Sequence, residues 1–158
     1  MTRELGTCVD VPRRYAVRVH LPAPLAVAMI LLAGPAVADD AFKVIVNPSN
    51  AVSALSRQQL SQYFLKKAKS WASGEAVLPV EPADSRIRSA FAKEVHGKAL
   101  NAVSSYWNQV VFSGRDVPPL EKQSEDAIVD YVREHAGAIG FVSPGTQAAG
   151  VKVVAVRD

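Results

Sequence analysis

Short runs of apolar, mostly β-branched residues separated by polar turns predict the strands of this protein. Four such runs lie at residues 42–46, 76–80, 138–142 and 151–156. Pro79 interrupts the second run. Because proline cannot donate a hydrogen bond to a neighbouring strand, we expect that strand to be very short or to lie at a sheet edge.

Between these runs, apolar residues recur every three or four positions and predict about four helices. The helices begin near Ser56, Ser85, Leu100 and Ser124. Ser56 and Gln59 have the spacing of a capping box, and Gly97 marks the end of the second helix. Strands that alternate with helices predict an α/β fold, a sandwich in which a mixed sheet of about four strands is covered by about four helices.

The first 38 residues have the pattern of a secretory signal peptide. Basic residues between Arg3 and Arg18 precede the apolar run 21–33, and Ala-Val-Ala at 36–38 is a small-x-small cleavage site. The apolar run is shorter than the roughly 20 residues of a membrane-spanning helix. We expect cleavage after Ala38, one domain over residues 39–158, and a periplasmic protein without a membrane anchor. This pattern is compatible with both Sec and Tat export, and also with a start codon downstream of Met1.

Charge and cysteine content narrow the range of partners. From Asp39 onward, 14 Lys/Arg and 13 Asp/Glu leave a net charge of about +1, which argues against a nucleic-acid partner. The single cysteine, Cys8, lies in the predicted signal peptide. Residues 39–158 therefore contain no thiol for a disulfide, a nucleophile or a cysteine-ligated metal.

Catalytic motifs are missing from the sequence. His96 and His135 each lie just before a glycine that ends a predicted helix, where a histidine suits the negative helix terminus, and this interpretation is preferred to a catalytic or metal-binding role. No HExxH, GxSxG or P-loop pattern occurs. We therefore expect no enzymatic activity, no catalytic residue, no bound metal and no cofactor.

The second predicted helix begins with ADSRIRSAF, which carries two cations in its first turn. Asp84 and Ser85 are both good N-cap residues, but Arg86 and Arg88 lie where the helix dipole disfavours positive charge. Two interpretations stay open. The arginines pair with Asp84 or Glu81, or the helix start, a hydroxyl and guanidinium groups together bind an oxyanion.

Four segments carry a family resemblance: VIVNPSNAVSALSRQQLSQYFLKKAKSW, PADSRIRSAF, SSYWNQVVFSGRDVPP and SEDAIVDYVREHAGAIGFVS. In this order they resemble the periplasmic solute-binding proteins of phosphate ABC transporters, specifically a short, single-lobe-sized branch of that type 2 periplasmic-binding-protein-like superfamily. The last segment is the most specific, because a helix running into GAIGFV is similar to the family's GAIGYV strand. The segments cover nearly all of residues 39–158.

The resemblance implies an oxyanion site at the start of the second helix. Full-length relatives hold phosphate partly with a Ser-Gly-Thr motif at a helix N-terminus, and Ser85 matches its serine. Arg86 and Ile87 stand in place of the glycine and threonine, and Glu81 lies near the position of a family arginine. We expect Ser85 and Arg88, and also Arg86, to contact an anion.

Two loop serines extend this predicted site. Ser49 and Ser143 each follow a predicted strand, and ligands of open α/β sheets collect beyond the carboxyl ends of strands. We therefore expect both serines to line the same edge as Ser85.

The resemblance further implies a periplasmic protein that binds phosphate or another small oxyanion and serves an ABC transporter permease. One lobe offers half of a two-lobed site, so two chains would meet as a homodimer, or a ligand would bind in an open groove. The alternative is an envelope interaction or sensory module that binds no solute.

Overall fold

The computed structural model describes residues 41–158, and the predicted signal peptide, residues 1–38, lies outside them. The elements of the described chain are β1 (Lys43–Val46), β2 (Ala54–Ser56), α1 (Arg57–Phe64), β3 (Leu78–Pro82), α2 (Ser85–His96), α3 (Leu100–Phe112), β4 (Leu120–Lys122), α4 (Glu125–Glu134), β5 (Ala138–Val142) and β6 (Lys152–Arg157). The four predicted strands and four predicted helices are all present. Strands β2 and β4 are additional.

The six strands form one mixed sheet in the order β2-β6-β1-β5-β3-β4. Strand β1 runs antiparallel to β5 and β6, whereas β3 is parallel to β4 and β5, and β2 is parallel to β6. The two additional strands are the sheet edges, and each has three residues. Three residues are too few to show the alternation from which a strand is predicted.

The edge position considered for Pro79 is wrong, because β3 lies between β5 and β4. The amide of Leu78 donates to Gly137 O on the β5 side, so the nitrogen of Pro79 faces the other neighbour. Pairing with β4 begins only at Val80. An internal strand can hold this proline because no partner amide or carbonyl is paired with it there.

Side chains that alternate along the central strands separate two apolar layers. Val44 and Val46 of β1 pack with α1 and α2 in the larger cluster, whereas Ile45 packs with α4 in the smaller one. Four phenylalanines fill the larger cluster: Phe42, Phe64, Phe91 and Phe141. The sheet is thus covered on both faces, which confirms the predicted α/β sandwich.

The remaining helix, α3, packs on α2 rather than on the sheet. Trp107 and Val110 contact Ala92 in a third apolar cluster. On the opposite face, a Cβ atom added to Gly140 would lie 2.7 Å from Ile128 Cγ2, so glycine is needed where α4 crosses β5. Among residues 41–158, no helix is both long and apolar enough to cross a membrane.

Candidate anion-binding site

Strands β3, β4 and β5 are parallel, so their carboxyl ends lie side by side. This row of strand ends is the edge at which the candidate site lies, and it is distinct from the outer strands β2 and β4. Helix α2 begins directly after β3, α4 begins after β4, and a loop that starts at Ser143 follows β5. An open cavity of about 380 Å³ lies at this edge and is lined by Ala41, Arg86, Ile87, Ala90 and Ser143. Two of the predicted site residues, Arg86 and Ser143, are therefore brought together at the start of α2.

Asp84, and not Ser85, is the N-cap of α2. The Asp84 Oδ1 atom accepts a hydrogen bond from the Arg86 backbone amide at 2.8 Å, and Ser85 is the exposed first residue of the helix. A carboxylate of the chain thus already satisfies one of the N–H groups that an oxyanion would use. A ligand at this helix start must share the N-terminus with Asp84 or displace its side chain.

Arg86 makes an exposed ion pair with the same carboxylate. Its Nη2 atom lies 3.0 Å from Asp84 Oδ2, and 89% of its side chain is accessible to solvent. The side-chain hydrogen bond from Arg86 lowers the pKa of Asp84, so this carboxylate stays ionised at neutral pH. Exposed pairs contribute only about 0–1 kcal/mol, so a stronger anionic ligand can replace Asp84 on the guanidinium.

Arg88 is held between two carboxylates from neighbouring strands. Its Nη1 atom donates to Glu121 Oε2 at 3.0 Å on β4, and its Nε atom lies 3.3 Å from Glu81 Oε2 on β3. The Nε contact lacks hydrogen-bond alignment, and this nitrogen is a buried polar atom without a hydrogen-bond partner within the described chain. The charge of Arg88 is thus directed at Glu81 and Glu121.

Burial makes Glu81 an unusual carboxyl group. Desolvation raises the pKa of Glu81 to about 7, even though the charge of Arg88 lowers it, and Glu121 adds a smaller increase. Only 13% of its side chain is accessible. At neutral pH this group therefore carries a partial proton, and Arg88 is the cation that favours its ionised form.

Ser143 binds a fourth carboxylate at this edge, that of Glu125. Glu125 Oε1 accepts from the Ser143 hydroxyl at 2.5 Å, Glu125 Oε2 accepts from the Ser143 amide at 3.0 Å, and the Thr146 hydroxyl also donates to Oε2. Burial raises the pKa of Glu125, but these hydrogen bonds outweigh it and the pKa lies below its ordinary value. Neither Glu125 nor Thr146 was expected, because the pairing is non-local.

The prediction that Ser49 lines the same edge as Ser143 is wrong, because β1 and β5 are antiparallel. Lys43 pairs with Val142 and Val46 pairs with Ile139, so the chain leaves β1 at the opposite end of the sheet. Ser49 there donates to Asn47 Oδ1 at 2.6 Å. It lines a separate cavity of about 200 Å³ between loops 49–52 and 71–75.

The C-terminal end of α2 carries the other polar pair of interest. Ser61 Oγ lies 2.9 Å from His96 Nδ1, which resembles a nucleophile beside a base. Burial, followed by the charges of Lys67 and Lys98, lowers the pKa of His96 to about 4, so the ring is neutral and weakly basic. His96 lies in the last turn of α2, as expected, but the expectation that it is a cation suited to the helix dipole is wrong. Within residues 41–158, no three His, Cys, Asp or Glu side chains group as a metal site.

Comparisons with known proteins add information about the fold. Neither the models of protein families nor the curated proteins include a match to this sequence. Among solved structures, an ABC-type phosphate transport receptor from Vibrio cholerae matches 74% of this chain and 46% of its own, at 19% identity and a TM-score of 0.54. A protein of Clostridium perfringens assigned to phosphate ABC transport, with phosphate bound, matches 75% and 47%, at 19% identity and a TM-score of 0.54.

A protein of Planctomyces limnophilus suggested to bind phosphate matches similarly, with 75% of this chain and 42% of its own at 16% identity and a TM-score of 0.57. The chain has the fold of phosphate substrate-binding proteins. This confirms the fold that the resemblance implies. This chain spans less than half the length of each of these three proteins.

Proposed function

We propose that this protein is an exported solute-binding-like protein that binds phosphate or another small oxyanion at the start of α2. The observation that carries the proposal is the cavity at the carboxyl ends of the parallel strands, which Arg86 and Ser143 both line. Ligands of open α/β sheets bind at such an edge. The phosphate bound in the C. perfringens neighbour adds support for an oxyanion as the ligand class.

Arg86, rather than Arg88, is the cation proposed to hold the ligand. The Arg86–Asp84 pair is exposed and costs about 1 kcal/mol or less to exchange. Arg88 contacts two carboxylates, one of them largely buried, and withdrawing a partner from such a pair costs several kcal/mol. Ser85 and the N–H groups of the first turn complete the proposed contacts. Arg88 positions the helix start through its ion pairs with Glu81 on β3 and Glu121 on β4.

The proposed site is half of a cleft. The chain spans 42–47% of the lengths of the three proteins named above, and contacts from the facing side of the cleft complete the proposed site. A second copy of this chain, giving a homodimer, is the proposed source. Delivery of the ligand to an ABC transporter permease is the corresponding role in the cell envelope.

A second candidate function is an envelope interaction or sensory module without a solute. The ion pairs of Arg86 and Arg88 favour it, since carboxylates of the chain already balance both positive charges: Asp84, Glu81 and Glu121. A group of exposed apolar side chains between the end of α3 and β4 also favours it: Val111, Phe112, Val117 and Leu120. Such side chains are common at protein interfaces.

Thermal unfolding with and without phosphate, sulfate or arsenate tests the proposal. A ligand at 100 times its Kd stabilises the folded state by about 2.7 kcal/mol, which raises Tm by roughly 10 °C for a domain of this size. The Arg86→Gln variant should lose this increase. Arg133→Gln is the matched control, because Arg133 forms a similar exposed pair with Asp130 on α4.

The control protein should keep the full increase in Tm. If none of the three anions changes the Tm of the unsubstituted protein, oxyanion binding is contradicted and the interaction module is favoured. If an anion raises Tm equally in Arg86→Gln and in the unsubstituted protein, the anion binds elsewhere.

A further inference from the structure

We propose that the turn Ser143–Thr146 is a second set of anion donors, that the Glu125 carboxylate occupies it in the unliganded protein, and that the oxyanion displaces Glu125 on binding. This inference rests on the proposed function. It adds Thr146 as a ligand-binding residue and assigns to Glu125 the role of an internal competitor that sets the affinity of the site.

The first argument is the set of donors. A backbone amide and two hydroxyls, those of Ser143 and Thr146, all point at one carboxylate. Three donors that converge on one anionic group match the requirement of a phosphate or sulfate, whose oxygens are the same kind of acceptor. The loop therefore already binds an oxyanion, and that oxyanion belongs to the chain.

The second argument is that the turn is held independently of Glu125. The Thr146 amide donates to Ser143 O at 3.1 Å and closes the turn. From β1, Lys43 Nζ donates to Pro144 O at 3.1 Å and also to Thr146 O. Because these contacts fix the carbonyl side of the turn, the donors can keep their positions when the Glu125 side chain leaves. Donors that need no rearrangement favour binding.

The third argument is the direction of the Ser143 proton. Ser143 lines the cavity beside Arg86, but its hydroxyl hydrogen is used on Glu125. A hydroxyl has one hydrogen, so Ser143 can donate to a ligand only after Glu125 withdraws. The ligand must also approach a like charge. Both effects weaken binding as long as the Glu125 carboxylate remains in place.

Calorimetric titration with inorganic phosphate compares Glu125→Gln with Asp126→Asn. Both residues are acidic and lie in the first turn of α4, so each substitution removes one negative charge from the same helix end. Glu125→Gln should tighten phosphate binding about tenfold or more, because it frees donors of the turn. Asp126→Asn should change the Kd less than about twofold. Adding Thr146→Val to Glu125→Gln should reverse most of the gain.

A nuclear magnetic resonance titration of the unsubstituted protein provides the second measurement, and it decides the matter if Glu125→Gln fails to fold. Phosphate should shift the Ser143 amide resonance as its hydrogen-bond acceptor changes. Phosphate binding with a stationary Ser143 amide and an unchanged Kd in Glu125→Gln would overturn this inference and leave the proposed function intact. If neither protein binds phosphate, sulfate or arsenate and the Ser143 amide does not move with any of the three anions, both the inference and the proposed function are overturned.

Discussion

The two ends of α2 deal with charge in opposite ways. At the N-terminal end, two arginines form ion pairs with three carboxylates. At the C-terminal end, His96 packs against the Phe91 ring in a T-shaped arrangement, lies beside the Ser61 hydroxyl and is neutral. The same helix thus has paired charges at its N-terminal end and a partly buried, neutral histidine at its C-terminal end.

The difference teaches which effect decides the state of a titratable group. A cation at a helix C-terminus gains about 0.3–1 kcal/mol from the helix dipole, which favours a protonated His96. Burying an unpaired charge costs several kcal/mol, and Lys67 and Lys98 add repulsion. Desolvation is the larger effect, so position in the helix alone does not predict the protonation state.

The largest expected effect on stability comes from truncating a buried side chain of α2. Phe91 is 2% exposed and stacks on Phe141 with ring centroids 3.9 Å apart. Phe91→Ala should lower the free energy of unfolding by about 3–5 kcal/mol in urea denaturation. Phe112→Ala is the matched control, because Phe112 is 91% exposed and its loss should cost less than about 0.5 kcal/mol. Equal losses would contradict the described core.

The next effect separates the two ends by pH. The folded-state pKa of Glu81 is raised from 4.5 to about 7. The stability that Glu81 contributes to the folded state is therefore fully present below pH 4.5 and is lost as the pH rises through 7. The folded-state pKa of His96 is lowered from 6.5 to about 4, so its contribution is present above pH 6.5 and is lost as the pH falls through 4. The two ends therefore titrate with opposite sign over nearly the same range.

Urea denaturation between pH 4 and 8 checks these signs. Relative to the unsubstituted protein, Glu81→Gln should gain on the order of 2 kcal/mol as the pH rises from 4.5 to 7. His96→Gln should gain a similar amount, about 2 kcal/mol, as the pH falls from 6.5 to 4. Subtracting the free energy of unfolding of the unsubstituted protein at each pH removes the contributions of all other titrating groups. A difference that does not vary with pH would contradict the burial of that side chain.

Local signals in the sequence predict most of the fold. Ser56 and Gln59 form the predicted capping box, and Gly97 ends α2 in the left-handed conformation with a φ of 62°. These features depend on residues a few positions apart. Strands β2 and β4 escape prediction because their existence depends on pairing with β6 and β3, which lie far away in the sequence.

The candidate site is less predictable for the same reason. The sequence places Arg86 and Arg88 at the start of α2, but the partners Glu121 and Arg88 are 33 residues apart. The separation of Ser49 from Ser143 follows from the antiparallel pairing of β1 with β5, which no local pattern indicates. Glu125 meets Ser143 only because α4 and the loop after β5 reach the same edge.

The most direct test of oxyanion binding at the N-terminal end of α2 is a phosphate titration followed at each backbone amide of the helix. The amides of Ser85, Arg86 and Ile87 should shift together and saturate, while those of Val95 and His96 stay in place. Binding with shifts confined to the C-terminal end, or spread evenly along α2, would contradict the proposed site. No shift at millimolar phosphate would contradict phosphate binding itself.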